Sequence, residues 1–365
     1  IVAGFMGVLG GILVLSFYSV VAGWTLHYTL QSLGLRLMGH QDFGEVFNQF
    51  VSNPWKPLVY QYVFLLLTHF VVARGVESGI ERFSKVMMPM LLVIIVLLSC
   101  FSLTMPGAYD GLNFLLKPDF SKVTTRVVLS AMGQAFFSLS VGIGCLATYA
   151  SYFKKDTNLV KSAVGVCAID SMVAIMSGFI IFPAAFSVAG VQVDSGPGLV
   201  YITLPHVFNM AFENIPFIGY LFSALFYVLL LLAALTSTIS MHEIATAFIR
   251  ENYKCSRQKS AVIVTLICIV LGTACSLSFG PWADIKIWGM GFFDLFDFLT
   301  AKFIMPLGGI LITMFVEWYL DRKLVVDELT NGGTVRVRGL RFLLFLIRWV
   351  APIGVGIVFL NELAG

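Results

Sequence analysis

Long apolar stretches separated by short polar clusters dominate the chain. A membrane-crossing helix needs roughly 20 mostly apolar residues at 1.5 Å rise each. Nine segments qualify, at about 1–35, 57–73, 86–108, 125–153, 159–188, 214–248, 260–279, 298–320 and 340–361. The pattern predicts an all-α polytopic membrane protein, with residues 1–365 as one transmembrane unit. Several segments exceed the bilayer thickness, so tilt, breaks or extensions beyond the membrane are expected. The fourth, around Gly142 and Gly144, is a candidate for two half-helices.

The polar clusters orient the stack, because positive charge concentrates on the cytosolic side. Fifteen Lys and Arg residues fall in the loops after spans two, four, six and eight, and six in the alternate loops. The loop 190–213 has none. This places the N-terminus of the chain in the cytosol and its C-terminus outside. The outside loops 36–56 and 190–213 contain Gly, Pro, Asn and aromatic residues, enough to form packed caps.

Composition narrows the class further. The chain is 58% hydrophobic and 12% charged, with 33 Phe and a mean hydropathy of +0.91. These values exclude a single soluble globule, a disordered chain, a disulfide scaffold and a coiled coil. A net charge of +3 does not point to nucleic acid. The six Cys form no CxxC pair, and four lie inside apolar runs, where they read as small buried hydrophobes. The first residue is Ile and no signal peptide precedes the first span, so the gene product is expected to extend further upstream.

Four features inside the apolar segments demand an explanation. The stretch Gly133–Gly144 places Ser138, Ser140, Gly142 and Gly144 in the middle of a span. Such a helix break persists where it lines a cavity, and its freed carbonyls can receive a small cation or an ammonium group; close packing through small residues is the alternative. Asp170 lies mid-span, where a charge costs at least ~2.5–3.5 kcal/mol. It must face a cavity, a cation or a hydrogen-bond partner. Thr236 and Ser237, with the Ala233 carbonyl, offer three hard oxygens suited to Na⁺, although hydroxyls there can equally bond the preceding turn. Tyr18 sits near the middle of the first span, where its hydroxyl needs a partner.

Other motifs carry less. His242-Glu243-Ile244-Ala245-Thr246 begins like a zincin helix but lacks the second His. No phosphate-binding loop, nucleophile elbow or dinucleotide fingerprint is present, so neither an enzyme nor a catalytic cofactor is expected.

In order along the chain, several stretches resemble the neurotransmitter:sodium symporters. They are Gly79-Ile80-Glu81-Arg82-Phe83-Ser84-Lys85 with Pro89, Asp110-Gly111-Leu112-Asn113-Phe114 with Pro118-Asp119-Phe120, and Gly133–Ser140 running on to Thr148-Tyr149-Ala150-Ser151-Tyr152. Ile181-Phe182-Pro183-Ala184, Tyr201–Pro205, Leu235-Thr236-Ser237 and Asn331-Gly332-Gly333 continue the likeness. The resemblance implies the LeuT-type inverted-repeat fold, with the nine spans matching family helices 3–11. Helices one and two are absent, and 125–320 is the second inverted repeat. It also implies the eleven-helix bacterial branch and a bacterial inner membrane.

Carried over residue by residue, the resemblance gives a substrate site of Val14, Tyr18, Phe137, Ser138, Ser140, Ile143, Ser237 and Met241. Sodium ligands would be Ser138 and Asp170 at one site, and Ala233, Thr236 and Ser237 at another. Tyr18, Phe137 and Asp297 would gate the outside; Tyr152 and Glu251 would gate the inside. The side-chain pocket of Val14, Ser140, Ile143 and Met241 has no charge, which favours a neutral hydrophobic or aromatic amino acid. Asp170 stands where many members have an Asn, and Ala174, a turn later, lacks the hydroxyl that would help bind chloride. Asp170 is therefore expected to supply the negative charge itself, making transport chloride-independent.

The expected function is sodium-coupled import of a neutral amino acid by alternating access, with sodium, the amino acid and the lipid bilayer as partners. Two rivals stand beside it: a sodium-independent amino-acid permease and a non-transporting scaffold derived from a carrier.

Overall fold

The computed structural model describes residues 2–37, 42–187, 196–213 and 215–364. Among them the chain is helical, with one isolated β-bridge between Ile287 and Met290. Eight helices are long and apolar enough to cross a membrane: Val2–Leu33, Lys56–Ala73, Ser78–Ser102, Leu159–Phe186, Pro216–Tyr253, Arg257–Leu277, Phe292–Tyr319 and Leu340–Asn361. The remaining expected span, 125–153, is interrupted rather than continuous. It divides into Thr125–Ser138 and Cys145–Ala150, each too short to cross alone.

In chain order the helices used below are α1 (Val2–Leu33), α2 (Phe43–Val51), α3 (Lys56–Ala73), α4 (Arg82–Ser102), α5 (Ala108–Leu116), α6 (Thr125–Ser138), α7 (Cys145–Ala150), α8 (Leu159–Phe186), α9 (Leu204–Ala211), α10 (Pro216–Tyr253), α11 (Arg257–Leu277), α12 (Phe292–Phe298) and α13 (Met305–Met314). Side-chain caps set several starts. Thr124 accepts from the Val127 amide before α6, Asn158 from Lys161 before α8, and Ser256 from Lys259 before α11. Pro216 opens α10 at a position where no amide bond is lost.

The inner bundle is α1 packed against α3, α10 and α11. Helix α1 is buried nearly all round, as a helix at the centre of a membrane bundle should be. Its small residues permit close approach: a side chain added at Gly23 would meet the backbone of Gln61 on α3. Polar groups here are paired across helices. Gln61 donates to Ser19 (3.0 Å), and the hydroxyls of Thr68 and Thr238 lie 2.9 Å apart. By contrast α6 buries none of its residues.

The cap expected from 36–56 is α2; residues 38–41 lie outside the described residues. Of 190–213, positions 190–195 and most of the approach to them lie outside as well, while Leu199–Thr203 and α9 form the remainder. The two parts meet where Tyr201 stacks on Phe47 at 5.5 Å between ring centroids. The Tyr201 hydroxyl donates to the Val21 carbonyl (3.0 Å) and lies 2.7 Å from Thr25. Burial holds that phenol above its ordinary range, so it works as a neutral hydrogen-bonding group.

Candidate functional site

The interruption between α6 and α7 is the centre of the site. Ser140, Gly142 and Gly144 all adopt positive φ (51°, 93° and 83°), which ends the helical path. The amides of Leu139, Ser140 and Val141 still bond back to Ala135, Phe137 and Phe136. No backbone amide among the described residues donates to the carbonyls of Ser138 through Ile143. Those oxygens are left without an amide donor at the break. The Phe137 carbonyl is not one of them, because Ser140 uses it at 2.9 Å.

Two neighbours hold the break in place. A side chain at Gly142 would run into the Met305 carbonyl and the Gly309 amide of α13, and one at Gly7 of α1 would lie 2.8 Å from the Ile143 carbonyl. Glycine is therefore needed at Gly142 for both its φ and its contact.

The polar groups fall into two clusters. On one side the Ser138 hydroxyl donates to both carboxylate oxygens of Asp170 on α8, at 2.8 and 3.0 Å. This is the hydrogen-bond partner that a mid-span Asp requires. On the other, Thr236 donates to the Ala233 carbonyl (2.9 Å), the bond to the preceding turn that its place in the helix allows. Ser237 lies beside Tyr18 of α1. The same stretch of α10 reaches further helices through Thr238 to Thr68 on α3 and Ser240 to Tyr149 on α7 (2.8 Å).

Val14 and Ile143 are buried in one apolar cluster, and Tyr18 and Met241 pack against it. Ser140 is half-buried beside them in sequence at the break. Phe137, expected opposite Tyr18, is 43% exposed, and no ring contact joins the two. Asp297, at the end of α12, is exposed.

The inner network differs from the expected one. Tyr152 donates to Glu243 (2.7 Å), not to Glu251, which is exposed two turns further along α10. Glu243 is fully buried and receives two guanidinium nitrogens of Arg257, at 2.5 and 3.0 Å; the third donates to the Val72 carbonyl (2.8 Å). Set aside as part of an incomplete zincin motif, Glu243 is instead the anchor of this network. A carboxylate inside an apolar span was the available signal. Its neighbour His242 is bonded to Thr246 and Thr265, each at 2.9 Å. Metal-binding clusters of three or more His, Cys, Asp or Glu are not found among the described residues.

Comparison with known proteins places this arrangement. The model of the sodium:neurotransmitter symporter family matches residues 52–364. A sodium-dependent transporter of Bacillus subtilis, YhdH, itself uncharacterised, is 40% identical over 98% of this chain and 78% of its own length. An uncharacterised sodium-dependent transporter of Haemophilus influenzae is 30% identical over 99% of the chain and 79% of its own. The crystal structure of MhsT in complex with L-phenylalanine superposes with a TM-score of 0.88 at 39% identity, covering 99% of this chain and 81% of MhsT. The chain therefore belongs to the sodium:neurotransmitter symporter family, as a sodium-dependent, multi-pass membrane transporter of the LeuT fold and not an enzyme.

Proposed function

We propose that the protein imports a neutral, hydrophobic or aromatic amino acid, driven by sodium, through alternating access. The observation that carries this reading is the uncharged cluster of Val14, Ile143, Tyr18 and Met241 beside a helix break with free carbonyls. Apolar walls fit an apolar side chain, while the backbone and hydroxyl oxygens of Ser138 and Ser140 suit an ammonium group. Tyr18 donates to the carboxylate, and MhsT, with L-phenylalanine bound, is a relative whose site takes such a ligand. Ser138 and Asp170 contribute to one sodium site; Ala233, Thr236 and Ser237 contribute to the other. Each bound cation helps hold the amino-acid carboxylate, so the two gradients are coupled by linkage.

In this reading residues 125–320 form the second inverted repeat, and the N-terminus of the chain faces the cytosol of a bacterial cell. Asp297 closes the outer side together with Tyr18 and Phe137. Asp170 provides a fixed negative charge, so chloride is not required. Equilibrium binding of radiolabelled L-leucine and L-tryptophan, in sodium against choline, tests the proposal. Saturable binding in sodium alone is the expected result. Equal binding in choline would identify an uncoupled permease, and binding of no member of a full amino-acid panel would identify a silent scaffold. Asp170→Asn is expected to make transport chloride-sensitive or shift its pH profile; an unchanged profile without chloride refutes the role given to Asp170.

A further inference from the structure

Two helical segments meet at one end of the bundle with aromatic rings on their outer surface. Phe315–Tyr319 closes the span that begins at Phe292, and Leu346–Val350 lies near the start of the span Leu340–Asn361; both are short π-helices. The Trp318 and Trp349 rings meet edge to face across this seam, with 6.0 Å between centroids. Their exposures are 52% and 46%, so each ring also faces outward. Tryptophans placed in this way sit at the level of the lipid headgroups.

Arg348 adjoins the seam, about eight residues inside its apolar segment, or about 12 Å of helical rise. A charge at that depth is costly unless it reaches a polar partner. Among the described residues its guanidinium makes no ion pair and no hydrogen bond. It is exposed and lies 5.8 Å from the centre of the Trp349 ring. Helical side chains tilt toward the start of their helix, here the loop end, so the guanidinium snorkels toward the headgroups.

Charge and shape together describe a ligand. No Asp or Glu occurs between Glu328 and Glu362, a stretch that carries Arg336, Arg338, Arg341 and Arg348. All four arginines are exposed. Arg341, Phe345 and Trp349 recur every four residues and are exposed, while Leu344 is buried, so one helix face runs from a cation to an aromatic surface. On the facing segment one carboxylate oxygen of Glu317 is buried away from this surface. Asp321, which follows it, caps the next helix by accepting from the Lys323 amide.

We propose that this seam binds an anionic phospholipid. Its phosphate is held by Arg348 with Arg341, and one acyl chain lies on Phe345, Trp349 and Trp318. A guanidinium offers paired donors to phosphate oxygens, and the headgroup compensates its charge where water is scarce. A zwitterionic lipid brings its own cation to the same place and is held less tightly. The seam shares no residue with the proposed substrate and sodium sites.

The test uses the full-length transporter reconstituted in vesicles. Tryptophan quenching by dibrominated phosphatidylglycerol is compared with quenching by dibrominated phosphatidylcholine of the same chains. Trp318 and Trp349 report from the seam itself. Phosphatidylglycerol is expected to bind about fivefold more tightly, and Arg348→Gln to bring that ratio close to one. Arg341→Gln, at an exposed side chain, should lower the ratio by about twofold or more, and it decides the matter if Arg348→Gln does not fold. Lys155→Gln removes an exposed charge from the loop after α7 and should change the ratio by less than about 1.5-fold. A ratio near one in the unsubstituted protein, or an unchanged ratio in both arginine variants, overturns the proposal. An equal fall in all three variants overturns it too, because a general surface potential would then be at work rather than a site.

Discussion

The two faces of the site are built differently. On α10 two hydroxyls are spent on other helices, Thr238 on Thr68 and Ser240 on Tyr149. These partners belong to, or lie against, a bundle in which α1 is buried nearly all round. The opposite face consists of α6, which buries no residue, the unbonded carbonyls of Ser138 through Ile143, and the Ser138–Asp170 pair. Satisfied polar groups fix geometry, whereas unsatisfied lone pairs retain the capacity to bind ions. One face is a frame apart from Thr236, whose hydroxyl bonds within its own turn and stays available as a ligand; the other face holds ligating groups in reserve.

If that contrast is correct, damage to the frame should appear as lost stability, and damage to the opposite face as altered ion or substrate dependence. The largest stability effect is expected at Glu243. Removing it by Glu243→Ala strands the nearly buried Arg257 guanidinium, and breaking such a pair costs about 3–5 kcal/mol. Thermal unfolding in detergent should fall sharply, and less for Glu243→Gln, which keeps a hydrogen-bonding oxygen. Asp170→Asn should leave the unfolding midpoint nearly unchanged while altering the ionic requirements of transport. Comparable destabilisation by both would erase the distinction.

Next comes the break itself. Gly142→Ala places a methyl against the Met305 carbonyl at a φ of 93°, where an L residue is strained. Substrate binding should weaken by more than about tenfold, equivalent to roughly 1.4 kcal/mol. Thr236→Val removes one of the paired hard oxygens and should raise the sodium concentration for half-saturation by about tenfold, with little change in leucine affinity at saturating sodium. Titrating bound label against sodium separates the two effects.

How much of this was legible in the sequence depends on what each feature requires. Span positions need only local hydropathy, so eight expected segments match continuous helices to within several residues. The break was legible because Gly142 and Gly144 sit close together in an otherwise apolar run, with Ser138 and Ser140 just before them. Partner choice was not. Tyr152 could face Glu243 or Glu251, which lie on similar sides of α10 two turns apart, and only the packing of α7 against α10 selects Glu243.

The smallest effect offers the finest test of the frame. Thr68 and Thr238 are fully buried, and their hydroxyls meet at 2.9 Å between α3 and α10. Each also reaches a carbonyl of its own helix, Phe64 at 3.2 Å and Leu235 at 3.0 Å. A hydroxyl that loses its interhelical partner therefore keeps an acceptor within its own turn, unlike Arg257 without Glu243. Thr68→Val should cost only about 0.6–1 kcal/mol, in line with interhelical hydrogen bonds in membranes. The double substitution Thr68→Val with Thr238→Val should cost less than the sum of the singles, since it leaves two apolar groups of similar shape in contact. Neither should move the sodium titration, although Thr238 lies only one residue from Ser237. A shift above about threefold in half-saturating sodium would mean that the frame transmits its packing directly to the ion site.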